Sequence, residues 1–373
     1  MDIKLPAYLK IVVVLLGVFL IVVIMREAKL VLVPLLIAGL FAILVSPLTS
    51  WMEKKGVPAG LAVVASLIAL IAFLLGFIYF FYNQILGFSG DLVALEKRVS
   101  ELVDSINIFI ANNIEGSVPI SMDNIRETIF MQLYQNFDTL TKGIIATAGT
   151  VTMVLIMPIY IFLFLYYRKF LAEFIKRAFS ERHKEKVTKV LDNVKMVVQN
   201  YIVGMFFVIL ILAVLNSIAL FSLGVKHALL FAVFAALLNV IPFLGPFLGA
   251  VFPILYTLLT KDSLWYPFGV FLAFYFIQLA ESNFFTPKIV GGKVSMNPLM
   301  TIIALFVGNF IWGLAGMVLF IPGMAVLKVI FDEIEGMEPY GFLLGTVKDG
   351  YNKTRNTRSE PVLLAEIKKR LKF

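Results

Sequence analysis

Residues 228 to 260, "ALLFAVFAALLNVIPFLGPFLGAVFPILYTLLT", are 33 consecutive uncharged positions. Further uncharged, mostly apolar runs occupy 11 to 25, 30 to 52, 56 to 90, 143 to 167, 196 to 225, 263 to 280 and 294 to 327. A helix of roughly 20 such residues crosses the hydrocarbon core, and in lipid each backbone polar group must find its partner within the chain. These runs predict an all-α polytopic membrane protein with about eight membrane segments. Composition agrees, since 60% of the 373 residues are hydrophobic and 15% are charged, far from the balance of a soluble domain.

Charge orients the segments. Residues 168 to 195 hold nine Lys/Arg against four Asp/Glu, which marks the cytoplasmic side, whereas residues 83 to 142 hold four against eight, which fits the outside. Lys4 and Lys10 precede the first run, "MREAKL" after it offers no small-residue cleavage site, and a second run follows at once, so a retained span is expected rather than a signal peptide. With the N-terminus cytoplasmic, spans at 11–25 and 30–48 return to "EKKG" (Glu53 to Gly56), a third near 59–82 leads out, a fourth near 143–167 leads in, and a fifth near 200–222 leads out. Arg26 and Lys29 then lie outside, against the rule. The formal net charge of +8 follows from this distribution and does not call for nucleic acid as a partner.

As one helix, residues 228 to 260 would be roughly 50 Å long, against a core of about 30 Å. Cutting at "PFLGP" (Pro242, Gly245 and Pro246 among its residues) leaves halves of about 14 residues, the length of re-entrant segments. Residues 294 to 327 are interrupted likewise at "GNFIWGLAG", with Gly308, Asn309, Gly313 and Gly316. From residue 200 the chain therefore reads span, hairpin, span, hairpin: 200–222, 228–260, 264–282 and 298–327. The first hairpin opens outward and the second inward, with Lys288, Lys293 and the tail "EIKKRLKF" inside, which is the pattern of an inverted-repeat transporter. Two pairs of short, closely packed spans joined by Gly/Pro turns satisfy the same pattern, because both residues are common in membrane helices.

Between the third and fourth spans, Leu92, Leu95, Val99, Leu102, Ile106 and Phe109 recur at helical spacing among charged residues, an amphipathic helix. After "IEGSVP", Ser121 can cap a second helix carrying Ile125, Ile129, Leu133 and Phe137. The pair reads as an extramembrane helical arm whose stripe serves packing within the subunit or association between subunits. The basic block from 168 to 200, with Phe170, Phe174, Val187, Val190, Leu191 and Val194, reads as surface helices along anionic lipid.

Enzyme motifs such as HExxH, GxxxxGK[ST] and GxSxG are missing from the chain, so no catalytic residue, metal ligand or cofactor is assigned. "GGKVS" at 291 to 295 lacks the upstream glycine of a phosphate loop. There is no cysteine, and His183 and His227 lie far apart. Gln278, Glu281 and Ser282 share one helical face at the end of the sixth span. Glu281 is the only acid in these later segments, and a carboxylate at mid-bilayer costs about 2.5–3.5 kcal/mol, so it should face protein or water on an ion or solute pathway. Pairing with Lys288 at an interface, in a helix ended by Pro287, is the alternative. Asn216, Ser217, Asn239, Asn283 and Asn309 are the other polar intrusions. Singly such residues are interhelical glue; together with two broken helices they outline a polar centre.

"NVIPFLGP" and "ESNFFTPKIVGGKVSMNPLMTIIALFVGNFIWGLAGMVLFIPGMAVLKVI" resemble the autoinducer-2 exporter family, the PerM-like permeases, with Pro242, Gly245, Pro246, Glu281, Pro287, Gly291, Pro298, Gly313, Gly316 and Pro322 in the family's order. The resemblance covers nearly the whole order of spans. It implies an oligomeric, multi-pass inner (plasma) membrane transporter moving a small polar solute or signal molecule, with some relatives described as Na+(Li+)/H+ antiporters. A Gln common in relatives is replaced by Met205 after Gly204. The expected organisation is a scaffold of three spans (1–82), an external arm (83–142), a fourth span with basic cytoplasmic helices (143–199), a transport unit (200–331) and a cytoplasmic tail (332–373). Glu281 is expected to carry a proton or Na+ as coupling ion, with Gln278, Asn239, Asn283, Asn309 and the two tips lining the solute path. A membrane scaffold that recruits a partner through the arm is the reading from another class.

Overall fold

The computed structural model describes residues 6–113, 119–132, 148–290 and 296–346. Lys4, Leu133, Phe137, Gly291, Lys293 and the "EIKKRLKF" tail lie outside them. Among the described residues every regular element is helical, apart from an isolated bridge between Met296 and Gly345. Five helices are long and apolar enough to cross a bilayer: Lys29–Lys54, Ala59–Ser89, Lys184–Ser222, Trp265–Ile289 and Leu314–Glu333. Ala7–Glu27 and Ala148–Arg177 occupy the expected first and fourth spans. Shorter apolar helices are Ala228–Leu238, Leu244–Thr260 and Pro298–Trp312. Large apolar side chains such as Val12, Phe19, Ile68, Phe73, Phe268 and Phe276 are exposed along these helices, as a surface facing lipid requires.

The basic block is built otherwise than expected. Ala148–Arg177 runs out of the fourth span, and after a short turn at Glu181–His183 the next helix, Lys184–Ser222, is 39 residues long, about 59 Å at 1.5 Å per residue. The block is thus the projecting ends of two spanning helices instead of separate helices on the surface. A continuous hydrogen-bond ladder leaves no terminal groups to satisfy, which a break between span and surface helix would create.

The chain divides into two compact units, one drawn from Met1–Leu44, Tyr167–Val203 and Val290–Phe373, the other from Val45–Tyr166 and Gly204–Ile289. In the first, Pro298–Trp312 and Leu314–Glu333 form a tight helical hairpin. Its tip is Gly313, at φ 63°, a conformation that glycine adopts without steric cost. The limbs touch at Gly308 and Gly316, where a Cβ on either would collide with the other's backbone. The limbs have 15 and 20 residues, roughly 23 and 30 Å. The longer limb matches the hydrocarbon core, so the equal halves of the sequence reading do not hold here. The tip lies against the end of the first helix, where Trp312 Nε1 donates to the Met25 carbonyl at 2.7 Å and the Arg26 guanidinium sits 5.2 Å from the Phe310 ring centre. That ring contact gives Arg26 a partner at the hairpin tip. At the hairpin's base, Glu338–Leu344 folds back so that the Leu344 carbonyl accepts from Asn297 N–H at 3.0 Å, and Asn297 caps the first limb through Leu299 N–H.

The second unit is organised around the other hairpin. Its core joins Leu220, Val225, Ala228, Phe231, Ala232, Ala235 and Tyr256 to Val270 and Phe274, and to Leu92 and Leu95 of the arm. The arm helix Leu92–Asn113 buries Leu92, Leu95 and Val103 but exposes Leu102, Ile106 and Phe109, so the inner part of the stripe packs within the chain and the outer part is left uncovered. The following element starts at Met122, as expected, but Ser121 makes no side-chain cap and the helix widens into a π turn at Arg126–Phe130. Two groups of ion pairs hold the arm to the hairpin's two ends. Asp91 accepts from Lys226 Nζ at 2.7 Å and His227 Nε2 at 2.8 Å, and Arg98 reaches Asp262 at 3.2 Å.

Candidate functional site

The hairpin of the second unit has limbs Ala228–Leu238 and Leu244–Thr260, of 11 and 17 residues. The shorter is about 17 Å long, near half the hydrocarbon core. The limbs come close because Gly249 faces Ala235, where a Cβ would sit 2.8 Å from the Ala235 methyl, and because a Cβ on Gly245 would collide with the Leu238 carbonyl. Between them, Phe243 takes φ 67° and ψ −51°, and Leu244 N–H bonds to the Pro242 carbonyl at 2.8 Å. This is a γ-turn with positive φ, a rare and strained form, here on a bulky residue. Pro242 cannot donate, and the Val240, Ile241 and Gly245 N–H groups bond to Leu237, Leu238 and Ile241 carbonyls. The tip thus satisfies these donors within its own turn, and polar side chains, more than free backbone donors, mark the site.

A cavity of about 290 Å³ opens where this hairpin meets Lys184–Ser222 and Trp265–Ala280. Apolar side chains, including Phe247, Ile254, Phe271 and Phe274, line most of it, together with Pro246 and three amides: Asn216, Asn239 and Gln278. Asn216 and Asn239 are only 5% and 7% exposed. The Asn216 Oδ1 is buried without a hydrogen-bond partner among the described residues, an orphaned acceptor on a residue of the cavity wall.

Gln278 connects the cavity to the buried acid. Its Nε2 donates to Glu281 Oε2 at 2.7 Å, and the Thr286 hydroxyl donates to Glu281 Oε1. Glu281 is 8% exposed and, among the described residues, forms no ion pair. Lys288 is exposed and is not its partner. Local structure explains the contact with Thr286. Residues five apart on an α-helix stand about 140° apart around the axis, but Glu281–Phe285 is a π turn, whose i→i+5 bonding brings position 286 over position 281. The wide turn also accommodates Pro287 inside the helix Thr286–Ile289, so the proline follows the irregularity instead of ending the helix. Carbonyls at the change of pitch are taken by side chains: Ser282 Oγ donates to Gln278 O at 2.9 Å and Asn283 Nδ2 to Leu279 O at 2.8 Å.

Of the residues singled out in the sequence, Gln278, Asn239 and Pro246 line the cavity and Glu281 adjoins it through Gln278. Pro242 and Gly245 shape the tip. Asn283 is exposed and bonded to its own helix. Asn309 is exposed in the first unit, where its carbonyl accepts from Gly313 N–H, and Gly313 and Gly316 form the other hairpin's turn and crossing. Asn216 was visible only as a polar intrusion, and the cavity brings it into the site. The Asp91, Lys226 and His227 cluster had no signal, because its members are 135 and 136 residues apart.

Apolar helices with lipid-facing surfaces, a broken hairpin and a small cavity beside a buried carboxylate define a multi-pass membrane transport protein. The chain matches the AI-2E family transporter profile over residues 9–336 and belongs to that family. It is 26% identical to YrrI of Bacillus subtilis (strain 168), named a candidate transport protein, over 81% of this chain and 86% of that one. A candidate transport protein of Haemophilus influenzae is 25% identical over 90% of this chain and 97% of its own length. MT0215 of Mycobacterium tuberculosis, named likewise, is 26% identical over 85% and 86%.

Proposed function

We propose that the chain is a secondary transporter of the plasma membrane, with both termini cytoplasmic, that moves a small polar solute or signal molecule of the autoinducer-2 type in exchange for protons or cations. The observation that carries this is a cavity lined by the buried amides Asn216 and Asn239 and by Gln278, which is bonded to the buried Glu281. A volume near 290 Å³ falls at the low end of ligand pockets, about 300–1,000 Å³, and suits a molecule of a few heavy atoms. Glu281 carries the coupling ion, because it is a buried carboxylate without an ion-pair partner among the described residues. The short limbs Ala228–Leu238 and Leu244–Thr260 support a re-entrant segment. The exposed outer stripe of the arm, Ile106 and Phe109, supports association of several copies.

Purified protein in proteoliposomes tests this with autoinducer-2 as the probe. Glu281→Gln should abolish gradient-driven movement of the signal without lowering the yield of folded protein; equal transport with and without an ion gradient by that variant would remove the coupling role. The same carboxylate favours a second reading, a Na+(Li+)/H+ antiporter, in which Na+ alone drives proton release and no organic solute is needed.

A further inference from the structure

Among the described residues, Gln278 alone both lines the cavity and bonds to Glu281. An ionised carboxylate can only accept hydrogen bonds, whereas a carboxylic acid donates one. While Glu281 is ionised it holds the Gln278 NH2, and the amide's Oε1 is directed away from it. Once a proton binds at Glu281 Oε2, the new O–H needs an acceptor, and the atom beside it is a donor. Rotation of the Gln278 amide by half a turn resolves the clash, and this terminal torsion is broad and roughly two-fold, so both settings are accessible without moving the stem. Thr286 continues to donate to Oε1 in either state.

We propose, on the basis of the transport reading above, that Gln278 is a positioning residue that relays the protonation of Glu281 to the cavity by reversing its amide. The wall then presents an acceptor when Glu281 is ionised and a donor when it is protonated. The ionised state thus suits an uncharged solute that donates hydrogen bonds, a hydroxyl-bearing molecule, and the protonated state releases it. Solute and proton therefore occupy the unit alternately, which makes the exchange an antiport. One proton is taken up at Oε2 and later given back, with no other bond changed. The charged and titratable groups near this relay are few. The cavity lining contains no Lys, Arg, His, Asp or Glu, Tyr275 is its one phenol, and Lys288 on the same helix is exposed.

Difference infrared spectroscopy of the reconstituted protein on a pH step reads the relay without any solute. The carboxylic acid band of Glu281, absent in Glu281→Gln, should rise together with a change in the side-chain amide band of isotope-labelled glutamine that is absent in Gln278→Met. An acid band with no accompanying amide change overturns the relay. In proteoliposomes, with autoinducer-2 and the neutral polyol xylitol as probes, apparent affinity should differ about tenfold between acidic and alkaline buffer in the wild type, as one hydrogen bond gained or lost would give. Gln278→Met should flatten that profile whatever its overall loss of transport. An unchanged profile in Gln278→Met removes the relay and leaves transport standing, whereas a wild type that moves neither probe removes the transport reading, with the infrared result still deciding whether the amide turns.

Discussion

Replacing Asn216 by leucine separates a structural role from a binding role in one variant. Asn216 is 5% exposed and its Oδ1 has no protein partner among the described residues. A buried acceptor left unsatisfied costs about 1–3 kcal/mol, and leucine, with the same branching but bulkier ends that can extend into the cavity, removes the polar atom and adds apolar contact with Leu212 and Phe274, which share the cavity. Stability should therefore rise, or at least not fall; a gain of about 1 kcal/mol is expected when water satisfies part of the lost acceptor. Transport should move the other way. Loss of one neutral hydrogen bond to solute, about 0.5–1.5 kcal/mol, lowers apparent affinity by roughly twofold to tenfold. Thermal or denaturant unfolding in detergent gives the first number, and a solute titration in proteoliposomes the second. If Asn216→Leu lost more than about 1 kcal/mol of stability, the amide would have a structural partner, and its place in the solute site would be refuted. If stability rose and transport were untouched, the cavity would be an apolar defect rather than a binding site.

Two further outcomes follow from the same geometry. Gly245→Ala puts a methyl into the Leu238 carbonyl; overpacking of this kind costs about 1–3 kcal/mol, and the limbs must separate beside the cavity, so both melting temperature and transport should drop. Hydrogen bonds from Lys226 first and His227 second hold the Asp91 carboxyl below its ordinary value of 3.8. Because the folded value is the lower one, the contribution of this cluster is fully present at neutral pH and fades as pH falls below about 4. Protection against hydrogen exchange at the arm and at residues 226–231, relative to the intrinsic rate at each pH, should therefore fall together in acid in the wild type, and already at neutral pH in Asp91→Asn. Independent behaviour of the two segments would show that the cluster does not join them.

Much of the membrane architecture was legible because it depends on local properties. Run length and charge asymmetry identify spans, and proline with glycine in a 33-residue run identifies a break. The interruption at Pro242–Pro246 proved to be a strained turn at Phe243 with limbs of unequal length, which a midpoint cut could not reveal. The second break settled on Gly313 alone, since only that position requires positive φ, and its long second limb distinguishes it from the first hairpin. Glu281 was noticed as an isolated acid, but its partners were hidden, because standard helical spacing puts position 286 on another face and a π turn cannot be read from periodicity. Surface helices were expected in the basic block because charge interrupts hydrophobicity there, yet a helix continues wherever its ladder is unbroken.

By itself the sequence determined that this protein is helical, lies largely in lipid, breaks its helices twice and places one acid among its later segments, because hydrophobicity, charge and backbone restriction act residue by residue. Only the tertiary structure decided that Asn216, Asn239 and Gln278 share a cavity, that Gln278 bridges it to Glu281, and that Asp91 clasps Lys226 and His227. Periodicity assigns each side chain to a face of its own helix, whereas these contacts depend on which faces of different helices meet, and that is set by close packing at small residues such as Gly245 and Gly249.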